Sequence, residues 1–96
     1  MLTERQAVII GFDACIEALG HEFVLSWCDR TGSSFERDGD SVVCFIGADD
    51  RPLEQIKSEP IAAENARGFP YYARCTVRLS DGAAHIIECV PPRRNA

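Results

Sequence analysis

The stretch from Tyr71 to Val90 constrains the fold of this chain more than any other. In YYARCTVRL, Tyr71, Ala73, Cys75, Val77 and Leu79 alternate with Tyr72, Arg74, Thr76 and Arg78. A two-residue period with one apolar and one polar side is the pattern of a half-buried strand. Ser80-Asp81-Gly82 supplies a turn and AAHIIECV a returning strand. A three-residue loop with Gly82 left-handed sets Leu79 opposite Ala83, Cys75 opposite Ile87 and Arg74 opposite Glu88. A two-residue loop would put Glu88 on the apolar side, where an unpaired carboxylate costs several kcal/mol, so the longer loop is expected. Pro91-Pro92 ends the strand, because proline cannot donate to a ladder.

A lone hairpin is not stable in water, so the remaining residues must cover its apolar side. Thr3 and Gln6 form a capping box and Gly20 a helix stop, predicting a helix over 3–19. Val8, Ile9, Phe12, Cys15, Ile16 and Leu19 fall on one stripe, with Gln6, Asp13 and Glu17 opposite. Ile10 projects from the polar side. EFVLSWC, residues 22–28, reads as a strand with Phe23, Leu25 and Trp27 inward and Val24 outward. The Gly, Ser and Asp of residues 29–40 read as a long hairpin connection with room for a short strand at Phe35. SVVCFIG, residues 41–47, has the length and composition of a central strand. Asp49-Asp50 before Pro52 predicts a short helix over 52–57, and IAAENAR, 61–67, a second. The expected fold is α+β: one N-terminal helix packed on an antiparallel sheet of about four strands, with short helical turns between two hairpins. Residues 1–96 form a single domain, with 92–96 a frayed tail.

Ninety-six residues suffice for one core, and the net charge of -5 opposes attraction to phosphate backbones and anionic lipid. Residues 1–60 hold twelve acidic against five basic side chains, whereas 61–96 hold three against five. No apolar run reaches the roughly 20 residues of a membrane helix, and the N-terminus lacks a secretory pattern, so a cytoplasmic protein is expected. Cys15, Cys28, Cys44, Cys75 and Cys89 are odd in number, without a Cys-x-x-Cys pair. Buried free thiols, and no cofactor, are expected.

Chemistry-bearing residues are sparse. Cys75, His85 and Cys89 share the helix side in the preferred register, which opens an alternative reading as a Cys/His metal-binding or thiol-redox site. Cys28 ends a predicted strand, but Asp29 disfavours its thiolate and no histidine is placed to assist. His21 reads as a helix-end cation or a solvent-facing turn residue. Asp29, Glu36, Asp38, Asp40, Asp49 and Asp50 support a further alternative, an acidic inhibitor that imitates phosphates toward a nucleic-acid-binding enzyme. Phosphate loops, nucleophile elbows and zinc-protease motifs are absent. Tyr72, Arg74, Thr76 and Arg78 make an aromatic and basic stripe, yet net acidity and neutralisation of Arg74 by Glu88 argue against nucleic acid.

The outward sheet face also carries Ile86 and Val90, and the helix carries Ile10, more apolar surface than a solvated face requires. The leading expectation is therefore a small non-enzymatic protein that acts by protein–protein contact, with a homodimer as one form, through Tyr72, Arg74, Arg78, Ile86, Val90 and Ile10. The one-helix, four-strand core accounts for most of the apolar residues and leaves little volume for a substrate cavity.

Overall fold

A computed structural model describes residues 1–26, 31–61 and 68–92. Helix α1 (Glu4–Leu19) begins at a complete capping box: the Thr3 hydroxyl accepts from the Gln6 amide, and the Gln6 side chain accepts from the Thr3 amide. It stops at Gly20, whose φ of 104° few other residues tolerate. Helix α2 (His21–Ser26) follows, then β1 (Thr31–Asp38), β2 (Ser41–Ala48), α3 (Leu53–Ser58), β3 (Tyr71–Arg78) and β4 (Ala84–Val90). The strands form an antiparallel sheet in the order β1-β2-β3-β4. Helix α1 packs across β2, β3 and β4.

The core lies between α1 and the sheet. Val42, Cys44 and Ile46 of β2 and Ala73, Cys75 and Val77 of β3 meet Ala7, Cys15 and Leu19 of α1. The helix is turned from its expected orientation: Ala7, Gly11, Cys15 and Leu19 are its buried residues, and Ile9 is half exposed. Size explains the rotation. At Gly11 an added Cβ would lie 2.5 Å from the Cys44 Sγ and 2.9 Å from its Cβ. Small residues let the helix axis come down onto the sheet, and the bulky side chains straddle the contact line. Val8, Phe12 and Ile16 pack against the core in this way, and so does Ile10, which is therefore not the outward surplus that the polar-side position implied.

Residues 22–26 do not form the strand expected over 22–28. His21–Ser26 is helical, Val24 packs against the core, and the Phe23 ring meets Tyr71 edge-on at 5.5 Å. Six residues are too few to separate a period of 2 from one of 3.6, and Gly20 restarts a helix because its carbonyl accepts from the Val24 amide. Trp27, Cys28 and Asp29 lie outside the described residues. The fourth strand comes instead from TGSSFERD, whose composition reads as loop. Asp38-Gly39-Asp40-Ser41 is a two-residue turn with Gly39 at φ 59°, so the chain reverses directly and every residue from Thr31 to Asp38 pairs with β2.

The short helix α3 forms where the proline predicts it. The second short helix, expected over 61–67, falls mostly outside the described residues. No described helix is long and apolar enough to cross a membrane.

The last hairpin keeps the expected register only at the end away from the turn. Arg74 faces Glu88, as expected, but nearer the turn Cys75 faces Ile86, Thr76 faces His85 and Val77 faces Ala84. A shift between Arg74 and Cys75 leaves Ile87 as the extra residue, a β-bulge in β4. The loop is longer than expected because Leu79 has left the ladder. Its amide donates to the Asp40 carbonyl and its own carbonyl accepts from Leu2, while Gly82 keeps the predicted left-handed φ, at 73°.

Candidate protein-interaction surface

The bulge redistributes the residues of the outward face. Ile86, opposite Cys75, points to the helix side and packs against the core, so it is not on the outward surface. Val90, opposite Tyr72, stays outward and well exposed. Tyr72 is nearly buried, in a second apolar cluster with Phe45, Phe69 and Ile61. Phe69 lies against the backbone at Gly47, where any Cβ would fall within its ring. The apolar end of the outer face is thus covered by the chain's own Ile61 and Phe69.

What remains of that face is ionised and internally paired. The Tyr72 hydroxyl donates to Glu88 Oε2 at 2.9 Å, and Arg74 Nη1 meets Oε1 at 2.9 Å. The Arg74–Glu88 neutralisation expected across the ladder is present. Arg78 pairs with Asp81 at 3.1 Å in an exposed contact that stabilises little. With the Tyr72 ring covered and both arginines engaged, the stripe offers no open stacking platform.

The Cys75, His85 and Cys89 trio is not assembled. His85 projects outward beside Thr76 and Cys75 is buried toward the helix. Cys89 sits at the sheet end, with its thiol 3.9 Å from the Ala18 carbonyl. It is exposed rather than buried. The bulge separates the three residues, and among the described residues no group of three such side chains could hold a metal ion. A different set of thiols converges instead, because Cys44 faces Cys75 across two strands and Cys15 descends on them from α1. Burial, and then the neighbouring Cys75 and Cys44, push the Cys15 thiol up to about 12. Burial foremost raises Cys44 to about 11, and it raises Cys75 and Cys89 as well. Cys15, Cys44 and Cys75 are core-filling groups that resist forming the nucleophilic thiolate.

The acidic residues are dispersed too. Asp49 is buried beneath Arg51, whose Nε donates to Oδ1 at 3.0 Å and whose Nη2 donates to Oδ2 at 2.7 Å, and Oδ1 also accepts the Arg51 amide. Asp50 accepts from the Tyr71 hydroxyl at 2.9 Å. Both pin the turn after β2. Of the set's described residues, Glu36, Asp38 and Asp40 stand together and exposed, on the β1–β2 hairpin. His21 is exposed at the start of α2, in keeping with a solvent-facing position.

The surface that sequence reading missed is the margin at β1. Because α1 covers β2 to β4, the helix side of β1 extends past it and Phe35 is half exposed there, as Ile9 is on the helix. Arg37 spans the gap, reaching Glu4 at 3.6 Å. The two-residue turn makes Asp38–Ser41 a hydrogen-bonded pair, so Ser34 and Glu36 turn their N–H and C=O groups to β2. Ser33, Phe35 and Arg37 then turn theirs to the free edge. The doublet of two-residue turn and alternating Phe35 and Arg37 was the available sequence signal; a loop-like composition concealed it. No protein-family model matches the chain, nor does any curated protein or solved structure.

Proposed function

We propose that this is a small non-enzymatic protein that acts by protein–protein contact, accepting an extended strand of its partner at the β1 edge. The observation that carries this reading is the unbulged eight-residue edge itself, with the backbone groups of Ser33, Phe35 and Arg37 directed outward beside a half-exposed aromatic ring. Natural sheets blunt such edges with bulges, prolines, a covering element or charges; among the described residues β1 has none of the first three, and its charges, Glu36, Arg37 and Asp38, gather at the turn end. Strand addition draws affinity from main-chain hydrogen bonds and specificity from side chains on alternate positions. A cytoplasmic setting, where free thiols stay reduced, suits the reading. Its surface replaces the outer-face set: Val90 lies on the opposite edge strand, Arg74 and Arg78 are paired, and Ile86 and Ile10 pack against the core.

The test is comparative capture from the native cell with the wild type and Ser33→Pro. Proline at 33 removes an amide that points to the free edge and leaves the β2 ladder intact. Proteins recovered with the wild type and lost with the variant support strand addition; an identical set from both rejects it.

A further inference from the structure

We infer that the strand added to β1 is the β1 of a second copy, paired antiparallel about Phe35, so that two sheets join into one of eight strands. This rests on the proposed edge-pairing function and names its partner. A two-fold axis normal to the sheet pairs each residue with one of the same parity, and the sequence of β1 discriminates among the centres. Centring on Glu36 sets two carboxylates directly opposite each other. Centring on Arg37 opposes two guanidinium groups and also sets Glu36 against Asp38. Centring on Phe35 opposes no like charges: Ser33 meets Arg37, Ser34 meets Glu36, and Gly32 meets Asp38. In that register the Ser34 hydroxyl can donate to the Glu36 carboxylate and the Ser33 hydroxyl can accept from Arg37. Centring on Ser34 also avoids like charges, but it separates the two phenylalanines.

The backbone permits this register as it permits the other same-parity ones, so the side chains decide. In the Phe35-centred register Ser33, Phe35 and Arg37 are the hydrogen-bonding residues of the new ladder, and these are the ones whose polar groups β2 does not use. About six main-chain hydrogen bonds form across the axis. The two Phe35 rings meet on the helix side, in the gap that neither α1 covers, and diagonal Arg37 side chains reach the ring faces. Both helices then lie on the same side of the joined sheet. Seven residues of strand pairing with one aromatic pair is a small interface, so the dimer is weak and concentration-dependent. Two copies of net charge -5 repel, so salt tightens the pairing rather than loosening it.

The experiment is light scattering after size exclusion, over about 10 to 500 μM, on the wild type and Ser33→Pro. The expected result is a mass that rises toward two copies in the wild type, sooner at high salt, and stays at one copy in the variant. As a second, register-specific arm, Phe35→Cys and Glu36→Cys are each placed on a Cys28→Ser, Cys89→Ser background in a glutathione redox buffer. Phe35→Cys should cross-link to a dimer and Glu36→Cys should not. A monomeric wild type at every concentration overturns the inference while leaving strand addition by another protein to the capture comparison. A dimer that survives Ser33→Pro, or equal cross-linking of the two cysteine variants, also overturns it.

Discussion

The two edges of the sheet are finished differently. At β4 the helix reaches over the margin, Ile87 bulges out of the ladder and two prolines follow. At β1 the helix falls short, the strand is regular along its whole length, and one pair of charges, Glu4 and Arg37, spans the gap. An edge that is covered, twisted and stopped resists pairing, whereas a straight edge with unused backbone groups invites it. The asymmetry is the reason that β1, rather than the sheet face, is the edge proposed for a partner.

The largest expected effect tests why the helix covers only three strands. Gly11→Val places branched carbon where Cys44 already stands, and the helix must lift from β2 and β3. Overpacking on this scale costs up to about 3 kcal/mol, read as a lower denaturation midpoint in urea. If stability were unchanged, the helix would have room to slide toward β1, and the contrast between the edges would lose its steric basis.

The covered half also has a pH signature. Burial holds Cys15 to about 12 and Cys44 to about 11, against an ordinary value of 9.0. Above the ordinary value the unfolded chain releases these protons while the folded chain keeps them, so unfolding is favoured as pH rises. The stabilisation is complete below pH 9 and is lost as pH climbs toward the folded values, at up to about 1.4 kcal/mol per unit for each thiol. Denaturation curves of the wild type and Cys15→Ala across this range should converge as pH rises. Parallel curves would show that the thiol is not held neutral by burial.

Two adjacent serines on β1 give the next effect. Ser34 bonds to β2 and Ser33 does not, so Ser34→Pro should cost about 2 kcal/mol or more of monomer stability, whereas Ser33→Pro costs less than about 1 kcal/mol. Equal losses would contradict the assignment of which amides face the free edge.

Much of this architecture was legible in the sequence where side-chain chemistry and periodicity agree. Thr3 with Gln6, the run 41–47, and the alternation through Tyr71 to Val77 each specify an element unaided. What escaped depends on size or on distant partners. Gly11 and Ala7 contribute little hydrophobicity, so the stripe that decides the helix face is invisible to a hydrophobic pattern. β1 is polar because an edge strand is half solvated, and its composition therefore resembles a loop. The cover of the outer face needs Phe69 to find Gly47, far away along the chain. The bulge had left a trace: alternation runs through Ala84 and Ile86 and resumes at Cys89, which a regular strand cannot satisfy.

That trace supports the smallest change in stability and the sharpest test of the contrast. Because Ile87 is the extra residue, deleting it leaves Ile86 opposite Cys75 and Glu88 opposite Arg74. The ladder closes without a register slip, and the Arg74–Glu88–Tyr72 network persists. Stability should stay within about 1 kcal/mol of the wild type, since a well-exposed side chain and an unpaired backbone unit are all that is removed. The edge, however, becomes straight. If the bulge is what keeps β4 from pairing, the deletion variant should form species larger than a dimer at concentrations where the wild type does not, because each copy then offers two competent edges and open-ended sheet growth becomes possible. Light scattering of the variant alone and combined with Ser33→Pro separates the edges: the double variant should stop at a dimer formed through β4. If the deletion left the association state unchanged, the helix and the prolines would be sufficient to protect that edge, and the bulge would serve only to bring Glu88 to Arg74.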